Sequence, residues 1–67
     1  MTFSEKLKML REKAGLSKSK FASSVGIDRK TLIKYEKGES EPTIHIFEKI
    51  CEVLQVDPKE LLNDTTQ

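Results

Sequence analysis

"FASSVGIDRKTLIKYEKG", residues 21–38, decides how this chain folds. Its two halves each carry apolar residues at helical spacing, and only Gly26, Ile27 and Asp28 stand between them. Three residues are too few to let two helices run back alongside each other, so the chain must turn sharply there. Ala22 falls at the crossing, where a larger side chain would push the helices apart. Gly26 is suited to the positive φ that ends the first of them. Phe21, Val25, Ile27, Leu32 and Tyr35 supply a buried side, and each alone reads as ordinary core. Their joint spacing is the specific part: a small residue, a glycine four later, and apolar residues ten and thirteen later. At about 100° per residue, Arg29, Lys30, Ile33, Lys34 and Lys37 then share an arc roughly 140° wide on the side away from Leu32 and Tyr35. A helix with four cations and a bare isoleucine on its outward face needs an explanation beyond solubility.

Outward from this stretch, capping signals recur. Thr2 followed by Glu5 is a capping box. The helix it opens has Phe3, Leu7, Leu10 and Ala14 on one face, and Gly15 is suited to a left-handed stop. Four later junctions share one device, an apolar residue or proline, a capping residue, and an apolar residue five positions after the first. They are Leu16-Ser17-Phe21, Ile27-Asp28-Leu32, Pro42-Thr43-Phe47 and Val56-Asp57-Leu61. Each reads as an N-cap inside a hydrophobic staple, and the last adds Pro58 at the first helical position and Glu60 to complete a box. The expected fold is all-α, a compact five-helix domain with helices over about 3–14, 18–25, 29–37, 44–54 and 58–62. The junction at 26–28 is a helix-turn-helix connection spanning about 18–37.

A chain of 67 residues is expected to be one small domain, 1–67, near the lower size at which a core suffices for independent folding. One cysteine, Cys51, allows no intrachain disulfide, and a single histidine leaves no zinc site, so no metal and no cofactor are expected. A reducing cytoplasm fits this usage. No stretch approaches a signal core or a membrane span. Cys51 lies with Phe47, Ile50 and Leu54 on the inner face of the fourth helix as a small core residue. His45 has no partnered nucleophile, carboxylate dyad or phosphate loop, so an enzyme is not expected. The net charge of +1 conceals a division. Residues 1–38 hold ten Lys/Arg against four Asp/Glu, a net of +6, whereas residues 39–67 hold two against seven, a net of −5. Such asymmetry points the basic half at a polyanion, the plain alternative being a solvated charged surface.

"LKMLREKAGLSKSKFASSVGIDRKTLIKYEKGESEPTIHIFEKICEVLQVDPKELL" resembles the helix-turn-helix domain of Cro and C1-type repressors, also called the XRE type. The resemblance is carried by "LREKAGLS", Ala22, "VGI", "TLIKYEKGESEPT" and "LQVDPKELL". It implies a sequence-specific double-stranded DNA-binding regulator, a repressor, whose third helix (about 29–37) reads the major groove while the second crosses the backbone. Arg29, Lys30, Ile33 and Lys34 would then approach base edges. Lys18, Ser19, Lys37, Ser40 and Thr43 would approach phosphates, aided by the free amides at helix starts. It further implies an ion pair between Arg11 and Glu36. Lys18 departs from the family pattern, standing where a glutamine is usual.

Arg and Lys match the O6 and N7 of guanine, and Ile33 a thymine methyl; helix three has no Asn or Gln for adenine. So short a helix reads few base pairs, which favours a homodimer, at least on DNA, over two half-sites. Ile44, Ile46, Val53, Leu61 and Leu62 exceed what one small core is expected to absorb and are the candidate dimer surface. The alternative is a protein-binding module on the same fold, such as an antitoxin whose protein partner covers the acidic half.

Overall fold

The computed structural model describes residues 2–62 and contains five helices: α1 (Phe3–Lys13), α2 (Lys18–Val25), α3 (Arg29–Lys37), α4 (Ile44–Leu54) and α5 (Pro58–Leu62). No strand occurs among the described residues. The bounds match the expected ones except at the end of α1. There Ala14 is an exposed C-cap instead of a fourth residue on the buried face.

Local chemistry starts the helices. The amide of Glu5 donates to Thr2 Oγ1 over 3.3 Å and the amide of Thr2 donates to Glu5 Oε1 over 2.9 Å, so the box closes in both directions. Ser17 Oγ accepts from the Lys20 amide and Thr43 Oγ1 from the Ile46 amide, opening α2 and α4. Asp28 is a correction. Its backbone occupies the N-cap position of α3, φ −75° and ψ 152°, but its side chain makes no capping hydrogen bond. The exposed carboxylate contributes there only as a negative charge at the positive end of the helix dipole. At α5 the amide of Glu60 takes the backbone carbonyl of Asp57 as its acceptor, at 2.9 Å.

One stop is used four times. After α1, α2, α3 and α4 a residue turns left-handed, and the amide of the next residue reaches back five positions. The bonds are Leu16 to Arg11, Ile27 to Ala22, Glu39 to Lys34 and Val56 to Cys51, at 2.9–3.2 Å. This is the Schellman closure, which satisfies carbonyls that a helix end leaves free. The left-handed residue is a glycine in the first three, and Gln55, at φ 57°, in the fourth.

α2 packs on α3 and α4, while α1 packs on α3 and α5. Between them lies one core of Leu7, Phe21, Ala22, Val25, Leu32, Tyr35, Ile50, Cys51 and Leu61. Ala22 is 2% exposed at the α2–α3 crossing, where the absence of a longer side chain permits close approach. Lys6 Nζ donates to the carbonyl of Glu60 over 2.7 Å, tying α1 to α5.

Candidate nucleic-acid interface

The sharp turn at Gly26–Asp28 puts α3 on the outside of the molecule with one face free. Leu32 and Tyr35 are buried against the core, whereas Arg29, Lys30, Lys34 and Lys37 are all exposed. Ile33 shares that face but is half-buried, not bare as the sequence led one to expect. No hydrogen bond or ion pair among the described residues ties up any of the four cations. The arrangement is an apolar contact flanked by unpaired positive charge on a helix narrow enough to enter a groove.

The remaining candidates fall at helix junctions. Lys18, the first residue of α2, is half-buried, and Ser19 beside it is exposed. Ser40 and Thr43 are exposed in the segment leading into α4. Thr43 Oγ1 accepts the Ile46 amide, which leaves its hydroxyl proton available to an external acceptor. Sequence reasoning did not place Lys8 here. In the fold Lys8 of α1 joins Lys18, Ile33, Glu36 and Lys37 around a cleft of about 150 Å³. Three helices contribute to it, so no local pattern announces it.

A buried ion pair holds α3 to α1. Arg11 Nε donates to Glu36 Oε2 over 2.7 Å, and Arg11 Nη2 lies 3.4 Å from Glu36 Oε1. Arg11 Nη1 donates to the carbonyl of Leu16 over 2.7 Å, so the same guanidinium also secures the α1–α2 junction. The side chains are 7% and 5% exposed, and no buried polar side-chain atom among the described residues lacks a partner. A planar guanidinium bonded at three edges fixes direction as well as distance, and thereby the angle at which α3 is presented.

The candidate dimer residues separate. Ile44 is 78% exposed at the start of α4. Ile46 and Val53 are half-buried and pack on the core. Leu61 is a correction: it is fully buried and unavailable to a partner, because α5 folds back on α1 and α4 and drops this side chain into the core. The side chain of Leu62 lies outside the described residues. Beside Ile44, Phe3, Glu41, Pro42 and Phe47 complete a hollow of about 310 Å³, with the Phe3 and Phe47 rings 6.0 Å apart. The pairing of Phe3 with Phe47 was not visible in sequence because it joins the first turns of α1 and α4.

Cys51 is a free, buried thiol, pushed up from its ordinary value by burial and by the carboxylates of Asp57 and Glu48. His45 is exposed. Among the described residues no three His, Cys, Asp or Glu side chains gather as metal ligands, and no helix is long and apolar enough to cross a membrane.

A profile of the helix-turn-helix family matches residues 7–61, from the buried Leu7 of α1 to the buried Leu61 of α5. The chain belongs to the Cro/C1-type helix-turn-helix family. Among its relatives, the transcriptional repressor RstR of the cryptic phage CTXphi, from Vibrio cholerae, is 32% identical over 94% of this chain. The chain spans 57% of that protein's length, and 21% of the length of a relative from Pyrobaculum aerophilum. The restriction-modification controller protein C.AhdI from Aeromonas hydrophila superimposes with a TM-score of 0.84 at 30% identity, covering 88% of this chain and 89% of that one. SinR, a master regulator for biofilm formation, solved in complex with DNA, gives 0.85 at 29%, covering 91% and 98%.

Proposed function

We propose that this helix-turn-helix domain is a sequence-specific double-stranded DNA-binding transcriptional regulator, a repressor, with α3 in the major groove. The observation that carries this is the free face of α3, with Arg29, Lys30, Lys34 and Lys37 exposed around Ile33. Arg29, Lys30 and Lys34 have the donors that match guanine, and Ile33 an apolar surface that matches a thymine methyl. Lys18, Ser19, Lys37, Ser40 and Thr43 would bond to phosphates, supplying register and affinity without sequence information. RstR, named a transcriptional repressor, and SinR, solved on DNA, support the reading.

The test is selection of bound duplexes from a randomised pool, followed by a salt series. Affinity is expected to fall with salt, each neutralised phosphate contributing a log-log slope of roughly −0.9. Arg29→Ala and Lys34→Ala should relax the selected preference, a good base contact being worth about 1–3 kcal/mol of discrimination. Lys18→Ala should weaken all sequences alike. No shift at any salt, or one ratio of loss for all three variants on specific and non-specific DNA, would refute the reading.

We further infer that the working form is a homodimer on two half-sites about one helical turn apart. The exposed Ile44 and the hollow beside it favour a contact through the start of α4. The same hollow supports a second reading, an antitoxin-like module covered there by another protein, which a companion co-purifying with the chain and displacing it from DNA would establish.

A further inference from the structure

We propose that Lys8, Lys18 and Lys37 form a single seat for one DNA backbone phosphate, so that α1 belongs to the DNA interface. The proposal rests on the DNA-binding reading and adds to it a residue and a site. Three helices bring the lysines together. Lys8 comes from the middle of α1, Lys18 from the first turn of α2 and Lys37 from the last turn of α3. All three line one cleft of about 150 Å³ together with Ile33 and Glu36. At roughly 30 Å³ per liquid water, that is room for a tetrahedral phosphate group.

The electrostatics call for an anion. The chain carries 11 acidic residues, yet among the described residues none forms an ion pair with these three lysines. Glu36 is the carboxylate lining the cleft, and its charge is taken by Arg11 at 2.7 Å, with its side chain 5% exposed. The cleft is therefore lined by three lysines, and the charge of its one carboxylate is already met by Arg11. The positive end of the α2 dipole, at Lys18, adds to the same field. Like charges converging on a concave site repel one another until an anion enters, and a phosphodiester oxygen would accept from more than one of them.

Place gives the seat its use. Ile33 lines the cleft and also borders the basic face of α3, so a phosphate held here belongs to the strand beside the groove that α3 enters. Fixed by three helices at once, that phosphate would set how deep α3 can lie. Lys8 is thus a positioning residue for the bases that α3 reads.

The experiment replaces single phosphates by uncharged methylphosphonates, one at a time, in a duplex that the wild-type protein has selected from the randomised pool. One phosphate per half-site should show the largest penalty, about tenfold or more for loss of its charge-assisted bonds. Lys8→Ala, Lys18→Gln and Lys37→Ala should each weaken binding to the unmodified duplex and shrink the penalty at that same phosphate, leaving the others unchanged. Lys8→Arg, which keeps the charge, should retain it. Melting curves confirm that each variant is folded; if the half-buried Lys18 variant is not, the exposed Lys8 and Lys37 carry the comparison. Penalties that shrink at three different phosphates, or a folded Lys8→Ala variant with unaltered affinity and pattern, would overturn the seat while wild-type binding stands. Failure of the wild-type protein to select any duplex would overturn the seat and the DNA-binding reading together.

Discussion

Arg11 has two tasks whose loss is unequal. Its guanidinium meets Glu36 on one side and the Leu16 carbonyl on the other, both at 2.7 Å. Arg11→Met would leave a buried carboxylate without its charge partner and a carbonyl without a donor, a loss of about 3–5 kcal/mol. A chain of this length has roughly 3–10 kcal/mol in total, so this variant should be largely unfolded or melt far below the parent. Glu36→Gln keeps an acceptor for Arg11 and leaves the Leu16 bond in place, so it should fall between the two. Thermal melts of the three proteins check the order; equal melting of Arg11→Met and Glu36→Gln would show that the Leu16 bond contributes nothing. At Glu5 the consequence is a pH dependence. The hydrogen bond from the Thr2 amide holds its carboxyl below the usual carboxylate value of 4.5. A carboxylate with a lowered folded value adds stability above its unfolded value, and loses it as pH falls through the folded one. Below about pH 4.5 the parent should therefore lose more stability than Glu5→Gln, and parallel stability–pH curves would exclude this.

At the scale of elements, the end of α4 is the exception among the four stops. Gln55 adopts φ 57°, where three other helices use glycine. The left-handed conformation costs a residue with a Cβ about 1–2 kcal/mol, partly offset because glycine loses more entropy on folding. Gln55→Gly should thus raise stability by about 0.5–1 kcal/mol, or a few degrees in Tm for a domain of this size. A lowered Tm would mean that Gln55 makes a compensating contact. Glycines 15 and 26, Ser17 and Thr43 act through bonds within a few residues of themselves, so their roles could be read from spacing. Asp28 had the right spacing, but a cap also needs its carboxylate turned back to the helix amides, and spacing does not specify that turn. Ala14 and Leu61 were misassigned for a related reason: whether an apolar residue at a helix end is covered depends on where the next helix goes. The basic face of α3 was legible because one helix carries it. The cleft of Lys8, Lys18 and Lys37 was not, because it exists only where three helices meet.

For the whole molecule, charge is divided along the chain, +6 over residues 1–38 and −5 over 39–67. The exposed cations of α3 would turn that face toward a polyanion before contact, which raises the rate of productive encounter and makes it salt-dependent. The division also leaves the acidic half for contacts away from phosphates. Ile44 is the large apolar side chain most open to solvent among those described, so it should matter to a pair and little to the single fold. Ile44→Glu should melt close to the parent yet bind the selected duplex as one protein per duplex by sedimentation, where the parent is expected to bind as two. Parent and variant sedimenting alike would remove Ile44 from the dimer contact.

The tie between α1 and α5 governs the order in which the chain assembles. Lys6 and Glu60 are 54 positions apart, and Leu61 completes a core that Leu7 enters from the other end. Closing a loop of that length costs about 3.5 kcal/mol of chain entropy beyond a constant, whereas α2, the turn and α3 meet through neighbours in sequence. Closure is expected late, after the barrier, with the helix-turn-helix unit already formed within it. Leu61→Ala, at a cost of about 2–5 kcal/mol, should then accelerate unfolding and leave the refolding rate nearly unchanged in stopped-flow chevrons, while Leu32→Ala should slow refolding. Refolding slowed in proportion by Leu61→Ala would place the closure of the chain at the barrier itself. By reversibility α5 is then the first element to leave when the chain unfolds, and the helix-turn-helix unit the last to be lost.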